Sequence, residues 1–467
     1  MGDYTKRDSM IEEFECRGVW WLPEDPNRKA SGILKFSPDE GIRLELTYPL
    51  ETDNHLSLWA PELIFGETEN GKATLYHCLE TKRKIISNNV ATSEVVSEIA
   101  VLGSHVDLKK DVFSSMRVES PELDLWASLG WVALPDRRAK NKYWIRCYIP
   151  DELHASLNDG TRVALGAKVI QSQTLQPPEV RLRQKTYVKV TPSSPCPFER
   201  CLDLLQTMLD LVSLGLSHPA TPSEIVGDLK SREREVKILY QLSRKQCSNQ
   251  ASLNPLQTLF TYADISDRFS NFIRSWFGMK DRLRPVLNLY FASLYAQGMY
   301  VESYFLNVIQ ALEAYHRLAI GGQDLPEDEH QKRVNEIVNS TPPQHQGWLK
   351  NQLKYSNEKS LRSRLREICR MFQPVTEKLI GSKRNEDVES FIDKVVNTRN
   401  YLTHYDPALA EKAVRGRQLF YLTQRLKVLL ECCLLRELEF PNNFILERIG
   451  KVITNRLSLT AGWALAD

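Results

Sequence analysis

The chain has 467 residues, beyond the size at which one hydrophobic core keeps growing, so two or three domains are expected. Hydrophobic residues at 42% and charged residues at 26% exclude wholesale disorder. Lys+Arg 61 against Asp+Glu 59 leaves +2, which excludes a globally basic, duplex-coating protein but not a local basic cleft.

The first residues (Asp3, Lys6, Arg7, Asp8) are too charged for a signal-peptide core, and Met1-Gly2 is followed by Lys6 where a myristoylation motif wants Ser or Thr. To about residue 191 the pattern is that of β-strands. Ile42, Leu44, Leu46 and Tyr48 alternate with Arg43, Glu45 and Thr47, giving one apolar and one wet face. Asn70-Gly71 between Leu63-Ile64-Phe65 and Ala73-Thr74-Leu75-Tyr76 predicts a hairpin. Further strands are expected at Tyr143–Ile149, Arg162–Ile170 and Val180–Val190. Trp20, Trp21, Trp59, Trp126, Trp131 and Trp144 lie in this part and are read as core rather than as a ligand groove. The expected architecture is an all-β, sandwich-like domain over residues 1–191.

Thr191-Pro192-Ser193-Ser194-Pro195-Cys196-Pro197 neither continues a strand nor starts a helix before its last proline. Beyond it, over residues 192–467, the period is helical. Leu202, Leu205, Leu209, Val212 and Leu216 form one stripe. The alternating charges of Lys230–Lys237 read as an exposed helix face. A helix over Tyr300–Ile320 carries Phe305, Val308, Leu312 and Tyr315 and stops at Gly321-Gly322. A mobile connection over Gln323–Gln346 is expected, then helices over Glu386–Tyr405 and Ala408–Leu438, the last with Leu419, Leu422, Leu426, Leu429 and Cys433 in register. No apolar run is long enough to span a membrane, since Glu431 breaks the greasiest stretch, Val428–Leu435. The nine cysteines are odd in number and scattered, which speaks against a disulfide framework and for a reducing, cytoplasmic setting. Cys196, Cys201 and His77-Cys78 lack zinc-finger spacing, so no metal or other cofactor is expected.

One segment stands apart from its surroundings: Thr398-Arg-Asn-Tyr-Leu-Thr-His-Tyr-Asp406 gathers Arg399, Asn400, His404 and two tyrosines on one short helical stretch. The spacing alone carries little, because 34 Arg and nine His supply about 0.7 such Arg–His pairs by chance. Context adds to it. Arg17-Gly-Val-Trp-Trp-Leu-Pro23, Gly32-Ile-Leu-Lys-Phe36 and Gly41-Ile-Arg-Leu-Glu-Leu46, together with Phe305-Leu-Asn-Val-Ile-Gln-Ala-Leu-Glu-Ala-Tyr-His-Arg317 and the segment above, resemble the ApeA-type bacterial anti-phage proteins. These pair an all-β N-terminal domain with an ApeA-like HEPN domain, whose catalytic pattern is Arg-x4–6-His. The resemblance implies an all-α HEPN bundle after the β domain, RNA cleavage as the activity, loops of tRNA such as the anticodon loop as substrate, a homodimer that brings two copies of the segment together, and a phage-derived trigger acting on the β domain.

The residue chemistry agrees. When a 2′-hydroxyl is the nucleophile no metal is required; protons must be moved and a phosphorane stabilised. His404 offers an imidazole, the side chain suited to general acid or base work, Arg399 offers a planar cationic fork for phosphate oxygens, and Asn400 can orient either. Arg399 and His404 are five residues apart, about 500° of helical rotation, so they do not stack on one face. Tyr401 and Tyr405 are suited to stacking on unpaired bases and equally to packing. Glu313 and Arg317, four apart, are placed as a local ion pair; if the first HEPN helix packs beside the active segment, Glu313 instead orients Arg399. His316 is read as structural. The other functional class is a non-catalytic protein that binds nucleotide, RNA or a partner. Gly321-Gly322 lacks the Lys-Ser/Thr of a phosphate loop, so it does not favour a nucleotidase or kinase.

Overall fold

A computed structural model describes residues 10, 12–51, 59–87, 90–110, 112–128, 134–139, 142–146, 149–175, 178–230, 235–240, 257–296 and 298–461. The chain divides into two compact units, Met1–Leu253 with Phe260–Arg274, and Asn254–Leu259 with Ser275–Asp467.

In the first unit, six strands close on themselves: β1 (Phe14–Leu22), β2 (Asp25–Ser37), β3 (Gly41–Leu46), β4 (Leu63–Thr68), β5 (Gly71–Ser87) and β6 (Val90–Leu102). The antiparallel order β1-β2-β3-β6-β5-β4 returns to β1, so the expected all-β domain is built around a barrel, which leaves no edge on that ring. Alternation does the sorting: Ile42, Leu44 and Leu46 are buried while Glu45 is exposed. Tyr48 lies past the strand end and is exposed. The Asn70-Gly71 hairpin joins β4 to β5 as expected, with Thr68 opposite Gly71. Trp20 fills the barrel interior at 0% exposure. Gly66 faces it; a Cβ there would sit 2.4 Å from the indole, so only glycine lets that ring in.

After the barrel come β7 (Phe113–Glu119), α1 (Pro121–Ala127), β8 (Leu134–Ala139), β9 (Lys142–Arg146), β10 (Leu153–Ser156), β11 (Arg162–Leu175), β12 (Pro178–Thr191), α2 (Phe198–Leu216), β13 (Glu224–Leu229) and β14 (Glu235–Tyr240). β6 belongs to two systems. One of its edges takes β5; the other takes β3 along Ser93–Ser97 and β14 along Ile99–Leu102. From β14 an open sheet runs on through β13, β7, β12, β11 and β10. Trp126 is buried, Trp131 lies outside the described residues, and β8 and β9 form a separate pair.

Two expectations change here. The Pro-rich segment after Thr191 marks a switch from strand to helix, not the border of the compact unit, because β13 and β14 return to the sheet beyond it. The stretch Glu235–Lys237 is strand, not an exposed helix face. Lys237 reaches Glu224 across the strands at 3.1 Å, and alternating charge on one sheet face satisfies the same pattern. Residues 231–234 lie outside the described residues.

The second unit is helical. After α3 (Phe269–Arg282) follow α4 (Arg284–Tyr295), α5 (Val301–Tyr315), α6 (Glu327–Asn339), α7 (Pro343–Gln352), α8 (Leu361–Met371), α9 (Gln373–Ile380), α10 (Asn385–His404), α11 (Gly416–Glu437) and α12 (Asn442–Ala461). α5 buries Phe305, Val308, Ile309, Leu312 and Tyr315 against α4, α8, α10 and α11; each such side chain contributes roughly 1.5–3 kcal/mol relative to exposure. Its stripe answers Leu419, Leu422, Leu426, Leu429 and Cys433, all buried on α11. α5 passes into a π-helical turn, His316–Ile320, and stops at Gly321.

The expected mobile connection at Gln323–Gln346 is instead helical over α6 and the start of α7, with Pro342 and Pro343 at the turn into α7, where proline is tolerated. α11 begins at Gly416 rather than Ala408, since Pro407–Leu409 form a 3-10 turn. The Val414 amide there donates to Thr398 Oγ1 at 2.9 Å.

Inside the helical unit Glu431 is 0% exposed. It accepts from Arg456 Nη1 at 2.7 Å and Tyr290 Oη at 3.2 Å, with Lys427 Nζ at 3.6 Å. Burial pushes the Lys427 ammonium down to about 8 and the Tyr304 phenol up to about 12, the Glu431 charge adding to the latter. Removing that carboxylate takes a close counter-charge from two buried cations. Glu431→Ala should therefore lower the stability of the helical unit by about 3–5 kcal/mol, read as an earlier urea midpoint by far-UV circular dichroism; an unchanged midpoint would show the cations are solvated.

Candidate active site

α10 buries Phe391, Ile392, Val395 and Thr398, one stripe at helical steps, and this sets its rotation. The helix ends abruptly. Tyr405 adopts the left-handed conformation (φ 54°) and its amide donates to Tyr401 O at 2.7 Å. Asp406 Oδ1 accepts from the Ala408 amide at 3.0 Å, and Pro407 cannot continue the helix. His404 is thus the last helical residue, exposed, and among the described residues nothing holds its imidazole.

Arg399 lies five residues earlier and is half-buried. Its Nη1 donates to Asn400 Oδ1 at 3.2 Å, and Nη2 lies 3.7 Å from Glu313 Oε2 on α5. The local pair expected between Glu313 and Arg317 does not form: Arg317 Nη2 donates to Glu358 at 2.6 Å. The rotation of α5 that buries Leu312 and Tyr315 turns Glu313 toward α10. The Glu313–Arg399 pair, with both side chains about three-tenths exposed (27% and 31%), contributes under about 1 kcal/mol to stability; its effect is on where the guanidinium sits. The structure thus brings Arg399, Asn400 and Glu313 together, with His404 further along the same helix.

Tyr401 and Tyr405 meet edge to face, centroids 5.9 Å apart. Tyr401 is engaged: Arg415 lies 5.0 Å from its ring and donates to its hydroxyl at 3.0 Å. Tyr405 is 69% exposed and open to a ligand. Arg415 is the site cation that sequence reading misses. It lies in the irregular stretch after α10, where no periodicity flags it, and the turn at 406–415 brings it back. His316 is buried as expected, between Glu367 (Nε2 to Oε2, 2.8 Å) and Arg364 (3.3 Å); burial, ahead of the raising effect of Glu367, leaves its imidazole easier to deprotonate than usual.

Among the described residues no three or more His, Cys, Asp or Glu side chains gather as a metal would require, and no helix is long and apolar enough to cross a membrane. A groove of about 790 Å³ lies on the barrel wall, lined among others by Arg17, Val19, Ile33, Thr47, Lys82 and Lys84.

The described side chains can therefore present a guanidinium braced by a carboxylate and, further along the helix, an unencumbered imidazole. Comparison with known proteins places that arrangement in context. Residues 15–276 match the model of ApeA N-terminal domain 1, and residues 306–444 match that of the Apea-like HEPN domain. No curated protein and no solved structure matches. The second match spans α5 through α11 and so contains every residue of the site, while the first covers more than half of the chain; this protein belongs to the ApeA family, a HEPN-type defence protein with the ApeA N-terminal domain in front of its HEPN domain.

Proposed function

We propose that the protein is a metal-independent endoribonuclease that acts in anti-phage defence by cleaving cellular RNA, with tRNA anticodon loops as the substrate. The observation that carries the reading is the last part of α10: an exposed His404 on the last helical turn, and Arg399 five residues earlier paired with Glu313. A base removes the 2′-hydroxyl proton, the 2′-oxygen attacks phosphorus, the bond to the 5′-oxygen breaks, and an acid protonates that leaving oxygen. His404 serves the proton transfers, and the Arg399 fork neutralises the charge building on the non-bridging oxygens. A loop suits this chemistry, since splayed nucleotides reach the in-line geometry that a duplex forbids. The β unit takes the part of sensor for a phage-derived trigger, in the cytoplasm.

His404→Ala should reduce cleavage of total bacterial RNA by about 10³-fold, the scale of general acid–base catalysis, while the melting temperature stays near that of the wild type, as expected for an exposed helix-end side chain. Arg399→Lys should lose at least about 10²-fold, because an ammonium cannot span two phosphate oxygens. Equal cleavage by wild type and His404→Ala would remove this segment as the site.

Internal 2′-hydroxyl attack also dictates the products. Cleavage should persist in EDTA, leave 2′,3′-cyclic phosphate or 3′-phosphate ends, and fail on a substrate carrying 2′-deoxyribose at the scissile position. End analysis by mass spectrometry that found 5′-phosphates would point to hydrolysis by an activated water instead.

The reaction moves two protons, and one copy of α10 supplies one exposed imidazole. A homodimer that pairs the α10 ends gives a cleft with two histidines, one as base and one as acid. Adding an excess of His404→Ala chains to the wild type should then lower cleavage per wild-type chain, because a mixed dimer keeps only one of the two imidazoles. A sedimentation-monomeric protein cleaving at full rate would exclude the shared cleft.

A further inference from the structure

Between α5 and α8 the chain leaves the bundle and returns as an arm. Its neck is tightly made. The amide of Asp324 donates to Asn357 O and that of Lys359 to Gly322 O, both at 2.9 Å. The buried Asn357 side chain exchanges hydrogen bonds with the Leu325 backbone at 3.0 and 3.1 Å. Arg364, 1% exposed, donates to Lys359 O at 2.9 Å. Beyond the neck little is buried: α6 buries His330 and Val334, α7 nothing. The neck fixes where α7 stands without hiding it.

The surface that α7 presents has an unusual composition. From Ile337 to Asn357 there is no Asp or Glu, while Lys350, Lys354 and His345 are present. The acids of the arm lie outside that window: Asp324 and Glu358 at the neck, Glu327, Asp328 and Glu329 in the first turn of α6, and Glu336 near its end. Trp348 is 64% and Tyr355 66% exposed. Trp348 stands on α7, and Tyr355 closes the 3-10 turn Leu353–Tyr355 that continues from it, with Gln344, Asn351 and Gln352 in the same stretch. Leu349 and Leu353 are half-buried, so the two rings stand among amides and cations rather than within an apolar patch. Lys354 Nζ lies 5.3 Å from the Tyr355 ring centroid.

Rings to stack on, cations beside them and no carboxylate are what an unpaired polynucleotide needs: the bases take the rings, the phosphates take the lysines. A protein partner would ask for contiguous apolar area. The arm also connects to the site. Tyr355 O accepts from the Glu358 amide at 3.1 Å, Glu358 holds Arg317, and Arg317 is one turn from Glu313, which holds Arg399. That chain of contacts ties the arm to the helix that positions Arg399.

We infer that α7 and the 3-10 turn after it, Leu353–Tyr355, form a second RNA-contact surface, in which Trp348 and Tyr355 stack on unpaired bases and Lys350 and Lys354 hold the adjoining phosphates. It anchors the single-stranded part of the substrate while its scissile bond lies at Arg399 and His404. The inference rests on the ribonuclease reading and names how that site acquires substrate.

The test uses the full chain carrying His404→Ala and a fluorescein-labelled, unstructured oligouridylate, with binding read by fluorescence anisotropy. Adding Trp348→Ala and Tyr355→Ala together should weaken binding by about 10²-fold, by loss of two stacking partners. Trp348→Phe should retain most of the affinity, and Lys350→Glu with Lys354→Glu should flatten the salt dependence. In the His404-containing protein the aromatic pair should raise KM with kcat nearly unchanged. These side chains are exposed, so far-UV circular dichroism and melting should match the parent. Affinity equal to the parent, with the parent cleaving RNA normally, overturns the arm inference and leaves the ribonuclease reading standing. Intact RNA affinity with loss of self-association by sedimentation also overturns it, making α7 a protein contact. A parent that neither binds nor cleaves RNA overturns both.

Discussion

The rotational setting of α5 is the constraint on which the helical unit turns. Phe305, Val308, Ile309, Leu312 and Tyr315 are buried together, and Tyr315 Oη donates to Glu437 on α11 at 2.9 Å. A helix pinned along one stripe has no freedom left in the direction of its other residues. Glu313 must then face α10 and meet Arg399, His316 must enter the core beside Glu367, and Arg317 must reach Glu358 at the neck of the arm. One packing decision thereby orients the site guanidinium and the base of α7 at once. Dense cores resist rotation because any turn forfeits close contacts on every side.

Local features of the fold were legible in the chain. The alternation at Ile42–Leu46, the Asn70-Gly71 turn, the α5 stripe, its stop at Gly321 and the end of α10 at Asp406-Pro407 are all decided by neighbours in sequence. What stayed hidden is non-local. Closure of the barrel depends on β4 meeting β1 and β5 meeting β6, and no turn residue announces such pairings. The same holds for β13 and β14, whose charged, alternating residues fit a wet helix face as well as a sheet face. Prolines at 326, 342 and 343 suggest a mobile connection, yet each sits at a helix start, where a missing N–H costs nothing.

The candidate site divides likewise. Arg399, Asn400, His404 and the tyrosines share one segment and one spacing. The partner of Arg399 was open between two readings, since Glu313 has Arg317 four residues away and Arg399 only through tertiary packing. Arg415 gave no signal. Its value as a lid over Tyr401 arises from an irregular turn, and irregular turns carry no period. Tyr401 and Tyr405, equivalent in sequence, differ in consequence: one is clamped by a guanidinium, the other is left in the solvent by a left-handed backbone.

The double membership of β6 has a bearing on how the chain is made. Its first half is paired by strands no later than residue 97, but the free edge at Ile99–Leu102 waits for Lys237–Tyr240, which the ribosome delivers about 140 residues later. During that interval a short apolar strand edge is open to any extended segment, and contacts of such separation form slowly. The segment carrying His404 is synthesised after that edge has its partner in hand, so the order of translation delivers every strand of the sheet before α10 is made.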